Sequence, residues 1–189
     1  TGLLEAWQDN VKCLFFSGQV NKSQATHGLD LPLRQLGVQE ANIVDVVAPL
    51  CKHSIMITDP DQIRYEMEKA INLANTGRPG PVWIDIPLDV QGAYVDIDSL
   101  QGYQPSGKEK LDVTEDENKE LINLFYQAER PVLLIGNGVR LAGATEELKE
   151  FVERHNIPTV ATFLGVDLLE SDNRLMIGRV GIKGNRAAN

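Results

Sequence analysis

Hydrophobic positions follow two rhythms along this chain: short continuous apolar runs, and longer stretches with apolar residues three and four apart. Residues 12–17 (KCLFFS) are an apolar run ended by Gly18, which predicts a buried strand after a helix closing near Asn10. Continuous rather than alternating apolar character suits a strand of a parallel sheet covered on both faces. Ile43, Val46, Val47 and Leu50 then recur at helical spacing over 42–50, and an extended piece follows over 54–57. Asp59-Pro60-Asp61-Gln62 reads as a helix start, with an acidic cap, a proline at the first helical position and a Gln three residues after the cap. Ile63, Met67, Ala70, Ile71 and Ala74 share one face of that helix, which stops near Gly77. Residues 81–86 (PVWIDI) predict another buried strand, closed by Pro87.

The pattern then lapses. Residues 92–114 hold Gly, Pro, Ser, Gln and charges with little periodicity, as an interdomain linker does. Thr114-Glu115-Asp116-Glu117 resembles a capping box opening a helix, with Leu121, Ile122, Leu124 and Phe125 inside it. A strand over 131–135, a helix over 144–155 and a strand over 157–161 make one βαβ unit. The expected class is α/β: parallel sheets with helices on both faces, in two incomplete Rossmann-like domains joined by a linker. The first residues, TGLLEAW, read as the middle of a longer protein rather than a start.

Composition narrows the chemistry. With 189 residues, 18 Lys+Arg against 27 Asp+Glu, a net charge of −9 and 42% hydrophobic residues, the chain reads as globular rather than disordered. The acidic balance and the lack of a Lys/Arg cluster exclude nucleic acid as the expected partner. No apolar stretch approaches the roughly 20 residues that span a bilayer, so no membrane is expected. Cys13 and Cys51, with no secretory signal upstream, fit a reduced, cytoplasmic setting. His27, His53 and His155 and the two cysteines lack metal-ligand spacing, so no metal site is read within the chain. Neither GxSxG nor GxxxxGK[ST] occurs, which disfavours hydrolase and NTPase readings.

Three sites carry candidate chemistry. Gly136-Asn137-Gly138 lies between a strand and a helix, where backbone N–H groups could face a phosphate, but the third glycine of the dinucleotide fingerprint is misplaced, at Gly143, and its ribose-holding acid is absent. Read alone it is a tight βα turn. Gly77-Arg78-Pro79-Gly80-Pro81-Val82 is a rigid turn before a strand that leaves one exposed cation, equally readable as a helix stop with a solvated Arg78. Gln39-Glu40 and Lys52-His53 bracket a helix as potential acid/base groups, with Glu40 more simply a surface acid near a helix start. Cys51 beside Lys52-His53 is a weak nucleophile candidate, since adjacent strand residues point to opposite faces.

Seven motifs occur together in the order found in thiamine-diphosphate-dependent enzymes of the acetolactate synthase type, which the chain resembles over nearly its whole length. They are Ser17-Gly18-Gln19-Val20, Gly37-Val38-Gln39-Glu40, Lys52-His53, Gly77 to Val82 with Ile84-Asp85-Ile86-Pro87, Arg130-Pro131-Val132, Ile135-Gly136-Asn137-Gly138 and Thr162-Phe163-Leu164-Gly165. The resemblance implies that residues 1–95 are the C-terminal part of a pyrimidine-binding domain, 96–114 a linker and 115–189 the N-terminal half of a central domain. It implies a decarboxylase or carboligase acting on a small 2-oxo acid with thiamine diphosphate and Mg²⁺, both held largely by parts outside this chain, which alone is expected to be inactive. It further implies a homodimer or homotetramer. Gln39 is the implied catalytic residue, facing the reacting carbon. Arg78, Gly136, Gly138, Thr162 and Leu164 correspond to positions along FAD in flavin-containing members. Asn21, Val38, Leu88 and Ile182-Lys183 depart from the acetolactate synthase pattern, which leaves the particular substrate and FAD open. The alternative is a nucleotide-binding or purely structural central-domain module without catalysis.

Overall fold

A computed structural model describes residues 1–30, 32–105, 107 and 113–189, so the linker reading at 106 and 108–112 lies outside the described residues. The chain divides into two compact units, Thr1–Leu111 and Asp112–Asn189.

The first unit is built on three parallel strands, β1 (Leu14–Gln19), β2 (His53–Met56) and β3 (Val82–Pro87), in the order β1-β3-β2. Around them lie α1 (Gly2–Gln8), α2 (Ile43–Val47), α3 (Ile63–Asn75) and α4 (Leu88–Gln91). Because strand side chains alternate between faces, Val82 and Ile84 meet Ala70 and Ala74 of α3 on one side, all four fully buried. The two alanines let the helix approach the sheet closely. On the other side Met56 packs with Val44 of α2 and with Ala25.

Several details differ from the pattern. β1 continues through Gly18 to Gln19, and Phe16 is 51% exposed because β1 has a neighbour only in β3. In α2 the buried positions are Val44 and Val47 while Val46 is 70% exposed. The α-helix there is one short turn, since the segment tightens to a 3₁₀ turn over Ala48–Leu50 around Pro49, which lacks the N–H an α-helix needs. Asp59 caps as predicted, but its carboxylate accepts from Asp61 N at 3.1 Å and opens a 3₁₀ turn, so that α3 starts at Ile63. Glu66 is buried on α3, and Ile71 is 48% exposed.

The second unit holds β4 (Leu133–Ile135), β5 (Thr159–Ala161) and β6 (Met176–Arg179), again parallel, in the order β4-β5-β6, with α5 (Glu115–Gln127), α6 (Asn137–Ala142) and α7 (Thr145–His155). Its core joins Ile135 and Ala161 of the sheet to Leu148 and Val152 of α7 and to Leu168, Leu169 and Leu175. β6 has no counterpart in the sequence reading; Gly178, at φ +146, interrupts a run too short to stand out. The capping box of α5 forms as read, with Thr114 Oγ1 accepting from Glu117 N and the Glu117 carboxylate accepting from Thr114 N. Its apolar residues are not interior, however. Leu121, Ile122 and Leu124 are 65%, 52% and 61% exposed, and Phe125 alone engages α7, through Phe151 and His155. Three strands with α7 on one face do not supply a surface for the rest of that stripe.

Candidate functional site

In the first unit the chain leaves β1 at Gln19 and returns to α2 through a long loop that carries Gln39. Gln39 is exposed, with φ +60, a left-handed conformation that few non-glycine residues adopt. Val38 beside it is 86% exposed, whereas Gly37 and Glu40 on either side of the pair are buried. Gly37 has to be glycine sterically, because a Cβ there would lie 2.7 Å from Gln24 O. Among the described residues none hydrogen-bonds the Gln39 amide.

Glu40 is not the surface acid expected from the sequence. Its Oε1 accepts from Thr26 N and, at 2.6 Å, from Thr26 Oγ1; its Oε2 accepts from Leu36 N at 2.7 Å and Gly37 N at 3.3 Å. Burial pushes this carboxyl up, but the bonds from Thr26, Leu36 and Gly37 outweigh burial and hold its pKa at about 2. The loop is tied again one residue on, where Gln19 Nε2 donates to Ala41 O at 2.7 Å and to Asp85 Oδ2 at 3.1 Å. Asp85 is fully buried and also accepts from Ser17 Oγ at 2.5 Å, which in turn accepts from Trp83 Nε1 at 2.8 Å. Sequence reading missed this cluster; the one signal was an aspartate inside an otherwise apolar strand.

The other first-unit candidates lie at the opposite, N-terminal ends of the strands. Lys52 Nζ donates to Thr76 O, and His53 Nε2 lies 2.9 Å from Glu66 Oε2, so neither is brought to Gln39-Glu40. Burial pushes the Cys51 thiol up to about 11, which favours the protonated thiol over the nucleophilic thiolate. Arg78 precedes β3 and is tied rather than merely solvated, its Nε donating to Asn10 Oδ1 at 2.5 Å. Leu88, by contrast, opens α4 directly after β3, at the Gln39 end, and is 61% exposed.

In the second unit Gly136, Thr162, Leu164 and Gly165 come together at the C-terminal ends of β4 and β5. Thr162 N donates to Ile135 O at 2.8 Å, and a Cβ on Gly136 would lie 3.2 Å from Thr162 Oγ1. A Cβ on Gly165 would lie 3.0 Å from both Gly136 Cα and Ile135 O, so the two turns meet backbone to backbone. Gly138 is different: it is exposed in α6, and a Cβ there would meet nothing within 4 Å. Arg140 spans the turns, donating to Leu164 O at 3.0 Å, Asn137 Oδ1 at 3.2 Å and Asp167 Oδ1 at 2.5 Å. The ends of parallel strands are where open α/β sheets bind ligands.

No group of three or more His, Cys, Asp or Glu among the described residues could hold a metal ion. A cleft of about 430 Å³ lined by Asp59, Asp61, Gln62, Tyr65, Ser99 and Gln101 contains none of the candidate residues. No helix among the described residues is long and apolar enough to cross a membrane.

Residues 118–189 match the family model for the central domain of thiamine pyrophosphate enzymes, which agrees with a parallel α/β unit whose glycine turns meet at the strand ends. Residues 118–189 are therefore similar to the central domain of that enzyme family. Over its whole length it is a relative of the acetolactate synthase large subunit. It is 34% identical to that of Lactococcus lactis and 36% identical to that of Corynebacterium glutamicum, with 100% of this chain covered and 32% and 29% of those proteins. A probable acetolactate synthase large subunit of Methanocaldococcus jannaschii is 34% identical, again over 100% of this chain and 31% of its own length. The chain thus spans about a third of the length of the curated relatives it matches.

Proposed function

We propose that this chain is part of a thiamine-diphosphate-dependent enzyme that decarboxylates a small 2-oxo acid, the resulting acyl-anion equivalent being protonated or added to a second carbonyl, as in a 2-oxo acid decarboxylase or carboligase of the acetolactate synthase type. In this reading residues 1–95 are the C-terminal part of the pyrimidine-binding domain, 96–114 the linker and 115–189 the N-terminal half of the central domain. The observation that carries it is the Gln39 tip, an exposed amide at positive φ whose neighbours on both sides are anchored. Backbone strain of this kind persists where the surroundings over-determine it, and it clusters at functional sites.

Thiamine diphosphate supplies an electron sink for the pair left behind when the 2-oxo acid loses CO₂. The chain's contribution is the Gln39 amide, which fits such a site because it can donate to a developing oxyanion or accept from a hydroxyl. Val38 and Leu88, both exposed at that end of the sheet, give the substrate apolar contact. No described cluster fits Mg²⁺, which with the diphosphate is assigned to other parts of the complete polypeptide. A cytoplasmic homodimer or homotetramer belongs to the same reading and rests on the resemblance.

FAD is the finer question. Gly136, Gly138, Thr162 and Leu164 would line it in the second unit, and the open space over Gly138 fits a close approach by a nucleotide. Arg78, in the first unit, belongs to this reading through the resemblance alone. The second reading, a structural or nucleotide-binding module, is favoured by Arg140, which closes the turn with the chain's own Leu164, Asn137 and Asp167. A flavin spectrum in the purified complete polypeptide, lost in Arg78→Ala, supports FAD; its absence supports the plain turn.

The test of the main reading is pyruvate consumption by the complete polypeptide after its cofactors are stripped. Activity restored by thiamine diphosphate with Mg²⁺, with release of CO₂, is expected. No cofactor-dependent consumption of any 2-oxo acid would contradict it.

A further inference from the structure

We propose that Glu40 is the positioning residue of the Gln39 tip, its carboxylate fixing the left-handed turn that aims the Gln39 amide. The proposal rests on the reading of Gln39 as the group that faces substrate. Four donors converge on the two oxygens: Thr26 N and Oγ1 on Oε1, Leu36 N and Gly37 N on Oε2. Thr26 and Leu36 lie ten residues apart in the chain, so one side chain staples both limbs of the loop. Gly37, hydrogen-bonded to it, sits where Gln24 O leaves no room for a Cβ, and Ala41 on the far side is held by Gln19. Gln39 is therefore bracketed at 37, 40 and 41 while its own side chain is left to the solvent.

Only a carboxylate of this length does this. A glutamine in its place offers one acceptor oxygen and turns an NH₂ toward N–H donors, which are then left unpaired. An aspartate is one methylene short of the donors. The bonds are charge-assisted, which favours a fixed geometry over a mobile one.

The experiment uses the complete polypeptide and a cycle of Glu40→Gln, Gln39→Ala and the pair, read as kcat, KM and amide hydrogen exchange. Glu40→Gln is expected to lower kcat on the order of 10²-fold with little change in KM, as misplacement of a reacting-site group by about 1 Å does. In the Gln39→Ala background it should cost under about 2-fold more, because the group it positions is gone. It should also speed exchange at the amides of Thr26, Leu36 and Gly37 while those of β3 and α3 keep their protection. Full additivity with Gln39→Ala, or fast exchange at those three amides already in the wild type, overturns the positioning role. A wild-type kcat in Gln39→Ala instead overturns the reading of Gln39 on which the proposal rests. Where Glu40→Gln does not fold, the wild-type exchange rates still decide whether the carboxylate holds the loop.

Discussion

Replacing Gly165 by alanine should destabilise the second unit by forcing apart the two turns at the ends of β4 and β5. The new Cβ would lie 3.0 Å from Gly136 Cα, 3.0 Å from Ile135 O and 3.3 Å from Gly136 N. All three are backbone atoms, so no side-chain rotation relieves them, and the preferred carbon–carbon separation of about 3.5–4.0 Å requires the ends of β4 and β5 to part by roughly 0.5 Å. That movement works against the Thr162 N to Ile135 O bond of 2.8 Å. Overpacking of this kind costs about 2 kcal/mol, which lowers the melting temperature of a small domain by about 10 °C. Gly138→Ala is the control: with open space around it and a helical backbone, it should gain roughly 0.5–1 kcal/mol. Scanning calorimetry of the two variants beside the parent chain measures both. A Gly165→Ala transition unchanged from the parent, or a Gly138→Ala loss equal to it, would refute the backbone contact between the two turns.

Acid should weaken the first unit through Glu40: with its folded pKa held at about 2, below the ordinary carboxyl value of 4.5, its contribution is full above about pH 4.5 and is lost as pH falls toward 2. Denaturant unfolding of the parent and Glu40→Gln should therefore differ most near neutral pH and converge as pH falls to about 2; a constant difference counts against the carboxylate as the cause. Asp85→Ala strands the Ser17 hydroxyl and the Gln19 amide, and should cost about 3 kcal/mol. Trp83 fluorescence should shift with it, since Trp83 Nε1 donates to Ser17; an unchanged spectrum and stability would show that the cluster is not formed.

Local signals were legible in the sequence where one segment decides its own structure. The capping box at Thr114 and Glu117 forms because both partners lie within one turn, and the apolar runs of β1, β3, β4 and β5 read as strands because each is apolar along its own length. What depends on distant pairing was not legible. Asp85 lies within the apolar run over 81–86, and only the sheet register brings it to Ser17, 68 residues away. Glu40 looked like a surface acid because its donors, at Thr26, Leu36 and Gly37, are presented by loop geometry that has no periodicity. In α5 the capping box and the run with Leu121, Ile122 and Leu124 predict a helix, but such a run does not say what covers those side chains, and they are exposed. Gly136, Thr162 and Leu164 were read from separate motifs and do meet at one end of the second sheet, whereas Arg78 and Gln39 sit at opposite strand ends of the first.

The Gln39 amide is the group on which the proposed chemistry turns, and its removal is the most direct test. At φ +60 alanine is as strained as glutamine, and an exposed side chain with no described partner contributes little to folding, within about 0.5 kcal/mol. Losing one preorganised donor in a water-poor site lowers turnover on the order of 10²-fold, about 2.7 kcal/mol. In the complete polypeptide, Gln39→Ala should thus lose about 10²-fold in kcat on its 2-oxo acid while its melting temperature stays within a few degrees of the parent. A kcat equal to the parent's would contradict the assignment of this loop to the reacting site.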